Sequence, residues 1–166
     1  MKHRAFYVLL SLATAALYLA MVLWSLPEIT IEADGLRPFD LRPLGYSAAQ
    51  AEAFLNALSG EGRVFYAQTQ HWLDTLFPAL LACWGVWTLW LFYTGPLRWV
   101  LIVLAVLGAG FDYAENTAVA DLLSGFDADR AALASRWTVL KSLAATAVYA
   151  AILWAVGRWI WSRRRR

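Results

Sequence analysis

Asp112, Glu115 and Asn116 fall within one and a half turns of an otherwise uncharged apolar stretch that begins after Arg98. Residues three and four apart share a helical face, so Gly108, Asp112, Glu115 and Asn116 line one side of that helix. Two other apolar stretches carry polar groups at a matching height. Gln70, His71 and Asp74 open one of them, and Lys141 lies one turn inside another whose edge is marked by Trp137. A charge in lipid costs about 2.5–3.5 kcal/mol at mid-span even on lenient scales, so these groups are expected to face inward and pair. The expected result is a polar pocket formed by Asp74, Asp112, Glu115 and Lys141, with His71 and Asn116 beside it. Three acids against one lysine leave an excess of negative charge. Protonation, arginine from a loop or a bound cation would have to meet it.

Several chemistries fit these residue types. Asp112 or Glu115 with His71 would suit acid–base catalysis. His71, Asp74, Asp112 and Glu115 are an oxygen-and-imidazole set suited to zinc, manganese or iron, although no HExxH or paired Glu-x-x-His spacing supports it. Arg37 and Arg42, in "RPFDLRP", offer guanidinium forks for a lipid headgroup phosphate; salt bridges to Asp40 or Glu115 are the plainer use of the same groups. No phosphate-binding glycine loop occurs, and with only His3 and His71 a bis-histidine haem has no support. The single cysteine, Cys83, lies in an apolar block and is expected to pack against neighbours. It permits no disulfide within the chain. The sequence names no cofactor.

The elements that must position these groups follow from hydropathy. Of 166 residues, 61% are hydrophobic and only 16% charged, against roughly 25% charged in a soluble domain. The apolar residues come in four blocks, about 5–26, 72–93, 97–118 and 137–160, each near the ~20 residues a span requires. The expected fold is an all-α integral membrane protein: one domain over 1–166, a four-transmembrane-helix bundle. The first block is too long for the h-region of a signal peptide and reads as an uncleaved helix. Gly95 and Pro96 turn the second span tightly into the third.

Charge suggests direction. With both termini cytoplasmic, that side holds Lys2, Arg4, Arg98, Arg158 and the run Arg163 to Arg166, and no acid. This matches the positive-inside rule and a bacterial inner membrane. The terminal arginines read as a topology lock, not as a nucleic-acid site. The 27–71 connection is then an outer loop. Within it "ITIEA" suits a short extended piece. Ser47 and Gln50 have capping-box spacing, followed by an apolar face at Ala51, Phe54, Leu55 and Leu58, which predicts a short amphipathic helix. Pro78 interrupts the second span and frees the carbonyl of Asp74, which then needs another donor. Trp84, Trp87, Trp90, Phe77 and Phe92 could wall an apolar cavity below the polar groups.

The leading functional expectation is a pocket near the outer face that binds a membrane lipid or other amphiphile. The alternatives are a lipid-modifying enzyme working through the carboxylates, and a structural or assembly subunit with a membrane-protein partner or a second copy. The first requires that Asp112→Asn fold and lose activity. The second requires that the polar groups be covered by the partner.

Overall fold

The computed structural model describes residues 2–165. It is all helical, with no strand among the described residues. Four helices are long and apolar enough to cross a membrane: α1 (His3–Ile31), α3 (Gly60–Phe92), α4 (Gly95–Ser124) and α5 (Ala128–Arg164). A shorter helix, α2 (Ala48–Ala57), lies between the first two of them. The spans thus run past the apolar blocks that mark them. The extensions are polar residues held by helix caps: Ser59 Oγ accepts from Gly62 N at 2.9 Å, and Asp127 Oδ1 accepts from Arg130 N at 2.8 Å. Hydropathy reports where lipid touches a helix, not where its hydrogen bonds stop.

Part of a soluble protein's polarity pattern is inverted in the bundle, around an interior that is otherwise apolar. Leu9, Leu12, Leu143 and Leu153 point outward, each more than 60% exposed, while Ser25, Gln70, Asp74, Thr88, Glu115, Asn116 and Thr138 are buried. Lipid tails are as apolar as leucine, so leucines gain little by turning inward, whereas polar groups gain partners there. Length, composition and this inversion describe an integral membrane protein.

The four long helices run antiparallel to their neighbours in a constant register. Along α1 and α3 the Tyr7 hydroxyl meets Thr88 Oγ1 at 2.9 Å, Trp84 Nε1 donates to Ser11 Oγ at 3.1 Å, and the Tyr18 and Phe77 rings stack at 5.9 Å. At the far end Ser25 donates to Gln70 Oε1. Between α3 and α4 the Trp90 and Trp99 rings meet edge to face, and the Tyr113 hydroxyl donates to the Thr75 carbonyl at 2.9 Å. Between α4 and α5 the backbones approach closely: a Cβ on Gly108 would stand 3.3 Å from Ala144 Cβ. The Tyr93 hydroxyl bonds the Ala151 carbonyl at 2.7 Å and ties the α3–α4 turn to the terminal half of α5. Helices α1 and α5 flank the bundle without packing closely on each other.

Two π turns interrupt the long helices, at Met21–Ser25 and Tyr66–Gln70. The first precedes Pro27, and "ITI" continues as helix through Ile31 where an extended piece was expected. A π turn takes a carbonyl's donor from five residues on, as where Leu26 N–H donates to the Met21 carbonyl.

The connection after α1 folds over one end of the bundle. Phe39, Tyr46, Phe54, Tyr66 and Leu122 bury together there. Helix α2 begins with the expected capping box between Ser47 and Gln50, and it buries Ala51, Phe54 and Leu55. Gly45 anchors the segment on α5: its φ is +84°, and a Cβ at that position would stand 2.6 Å from Ser135 Oγ. The same Ser135 oxygen accepts from Tyr46 N at 2.8 Å.

Candidate functional site

Lys141, on α5, is the hub of the polar interior. Its Nζ lies 3.0 Å from Asp112 Oδ1 and 3.7 Å from Asp40 Oδ1, and it forms an ion pair with Glu115 Oε2. Glu115 is 1% exposed, and its other oxygen accepts from the Thr138 hydroxyl one helical turn before Lys141. The α4–α5 register sets these contacts, because Asp112 and Glu115 sit one turn apart opposite Lys141 and Thr138. Asp40 arrives from the short 3-10 turn Phe39–Leu41, and its Oδ2 accepts from the Tyr66 hydroxyl at 2.6 Å.

Asp74 is held separately on α3. Both of its oxygens face Gln70 Nε2 at 2.9 Å, and Gln70 in turn accepts from Ser25 of α1. The two π turns therefore meet across this chain of side chains. The Asp74 carbonyl, freed by Pro78, accepts from Asn116 Nδ2 at 2.8 Å. Asn116 is thus the donor that the proline requires.

Below these groups lies a cavity of about 280 Å³. Its lip carries Asp40, Asp74, Asp112 and Lys141. Its walls include Tyr18 of α1, Phe77 and Trp84 of α3, Ala105 of α4, and Ala145 and Tyr149 of α5. All four long helices contribute. Of the aromatic residues expected to wall a cavity, Phe77 and Trp84 do so. Trp87 packs on Phe6 and Tyr7 instead, and Trp90 pairs with Trp99 under the Arg98 guanidinium. Cys83 is exposed on the outside of α3, where packing against neighbours was expected.

No family model matches the chain, and no curated protein or solved structure is found similar to it. Its chemistry has to be read from the geometry alone.

The structure brings together Asp112, Glu115 and Lys141, and sets Asp74 and Asn116 beside them. His71 is not brought in. It is exposed, forms no ion pair among the described residues, and borders a void of about 10 Å³ with Asp40, Asp74 and Asn116. On α3 the inward face belongs to Gln70 and Asp74, four residues apart, so His71 turns outward. The acid–base pairing of His71 with Asp112 or Glu115 finds no contact here. The four residues considered for a metal do not assemble either: among the described residues no group of three or more His, Cys, Asp or Glu is arranged to hold one. The Lys141 ammonium takes the position between carboxylates that a metal ion would need.

Arg37 and Arg42 also lie apart from the cavity. They border an open groove of about 350 Å³ with Gln50 and Ala53. The Arg42 guanidinium donates to the Arg37 carbonyl at 2.6 and 3.0 Å, and it stands 5.7–5.9 Å from the ring centres of Phe39, Tyr46 and Phe54. Burial lowers its pKa. Neither arginine forms an ion pair with Asp40 or Glu115 among the described residues.

Three participants were not marked by the sequence. Asp40 lies in the loop, and the Gly45 anchor, the buried Phe39 and the Tyr66 hydroxyl together hold it over Lys141. Thr138, one turn before Lys141, could have been found from its helical spacing. Tyr46 is buried with no hydrogen-bond partner for its hydroxyl. Burial, and then the nearby negative charge of Glu115, raise its phenol pKa above the ordinary value, so it stays protonated.

Proposed function

We propose that this protein binds an amphiphile inside the membrane, in the cavity between its four long helices. We place it in a bacterial inner membrane with both termini cytoplasmic, because the basic residues Arg4, Arg98, Arg158 and Arg163 gather at the end of the bundle that holds the termini. The single observation carrying the reading is the cavity itself: apolar walls, charged groups only at one lip, and a place in the bundle core. Small-ligand sites take this form, with volumes of about 300–1,000 Å³. At about 280 Å³ the cavity suits one acyl chain or a small ring system better than a two-chain lipid. The loop bearing Asp40 and Leu41 covers one end. The loose α1–α5 flank then offers a route from the lipid phase.

Native mass spectrometry of the protein released from a mild detergent tests this. The wild type is expected to keep a defined amphiphile mass. Ala145→Phe, which fills the cavity from α5, is expected to lose it while melting at a similar temperature. A wild type that flies bare, or a variant that keeps the same mass equally well, overturns the reading.

A further inference from the structure

We infer that the cavity selects an amphiphile with a cationic, hydrogen-bond-donating head, an alkylammonium in chemical class, and rejects phosphate and carboxylate heads. This rests on the binding reading above, and the site itself rests on the cavity, not on its acids.

Most donors of the lip are already used. Lys141 hydrogen-bonds Asp112 and pairs with Glu115, and a third carboxylate, Asp40, stands 3.7 Å from its ammonium. The Gln70 amide points at Asp74, the Tyr66 hydroxyl at Asp40, the Asn116 amide at the Asp74 carbonyl and the Thr138 hydroxyl at Glu115. Acceptors, by contrast, are left over. Asp112 Oδ1 takes Lys141, while Asp112 Oδ2 has no hydrogen bond or ion pair. Asp112 borders the cavity with its side chain 17% exposed, so the carboxyl group that carries this oxygen lies at the cavity lip.

The charges agree with this count. Three carboxyl groups, Asp40, Asp112 and Glu115, surround one ammonium, and a fourth, Asp74, stands at the same lip. An anionic head would enter against like charge and find the one ammonium of the lip already shared among carboxylates, and unpaired charge away from water is strongly disfavoured. An ammonium would meet Asp112 Oδ2 and offset the excess. The arginines suited to phosphate border a different groove, so they cannot reverse the sign of this lip.

The experiment uses two photoreactive probes with the same diazirine-bearing alkyl chain, one ending in a primary ammonium and one in a carboxylate. The full-length protein is placed in neutral phosphatidylcholine vesicles. Label on cavity positions such as Phe77, Ala105 and Ala145 is divided by label on the outward-facing Leu12 and Leu153. The ammonium probe is expected to exceed the carboxylate probe by about tenfold or more in this ratio. Asp112→Asn is expected to reduce the preference several-fold, and Asp40→Asn serves the same purpose if the first variant folds poorly. Equal labelling by the two probes, or a preference for carboxylate, overturns the charge selection and leaves the cavity reading standing. If neither probe labels the cavity above the outer surface, both fail.

Discussion

Replacing Lys141 with methionine keeps the side-chain length and removes the one positive charge that Asp40, Asp112 and Glu115 share. Glu115 then remains 1% exposed with only the Thr138 hydroxyl as partner. Removing one member of a buried ion pair typically costs about 3–5 kcal/mol, because the other charge stays behind unpaired. For a chain of this size roughly 2–4 °C is lost per kcal/mol, so Lys141→Met should melt roughly 6–20 °C below the wild type. Adding Glu115→Gln removes the stranded charge, and the double variant should recover at least about 1 kcal/mol of the loss. The assay is thermal unfolding in mild detergent, followed by tryptophan fluorescence, for the wild type, both single variants and the double. If Lys141→Met melts within about 2 °C of the wild type, or the double variant loses as much as the sum of the singles, the ion-pair hub is not what holds α4 on α5.

Three further outcomes are expected. Asn116→Ala strips the Asp74 carbonyl of its donor and should cost about 0.6–2 kcal/mol; Pro78→Ala returns the backbone N–H, so it should suppress most of that loss in the double variant, as read by the same melts. Gly45→Ala puts a Cβ into Ser135 Oγ at a positive φ and should cost about 1–3 kcal/mol, seen as faster proteolysis within residues 32–46; an unchanged cleavage rate would show that the loop is not anchored there. Ser47→Ala removes the cap of α2 and should cost about 0.5–2 kcal/mol, detected by faster amide exchange at Gln50 and Ala51.

Much of this arrangement could be read from residue spacing, since the spans announce themselves by composition. Heights along them follow from a fixed rise per residue, so Asp112 could be matched with Lys141 before any packing was known. Pro78 announced a missing donor at Asp74, though not that Asn116 would supply the replacement. What stayed hidden depends on contacts far apart in sequence. Asp40 reaches Lys141 through a loop that docks by Gly45 and Tyr46 on Ser135 and by Phe39 in the core. The same docking turns Arg37 and Arg42 into another groove. His71 stands apart for a local reason: adjacent to Gln70, it shares the height of the polar groups but not their face. The π turns left no hydropathy signal, because a widened turn alters hydrogen bonding and not composition.

The shared lysine also constrains how the chain enters the membrane. Helix α4 leaves the ribosome first and carries Asp112 and Glu115, each costly alone in lipid; α5 follows with the single cation that satisfies them. Only the short Gly125–Asp127 link separates the two helices. Helix α4 is therefore a poor passenger by itself and a good one as half of a hairpin. The insertion machinery must hold it until Lys141 has been synthesised, 29 residues after Asp112, or the two must cross together. Helix α1, with no acid before Glu28, needs no such companion and can wait in the bilayer for α3. The polar contacts at the cavity lip of the finished protein thus also bear on the order of its biogenesis.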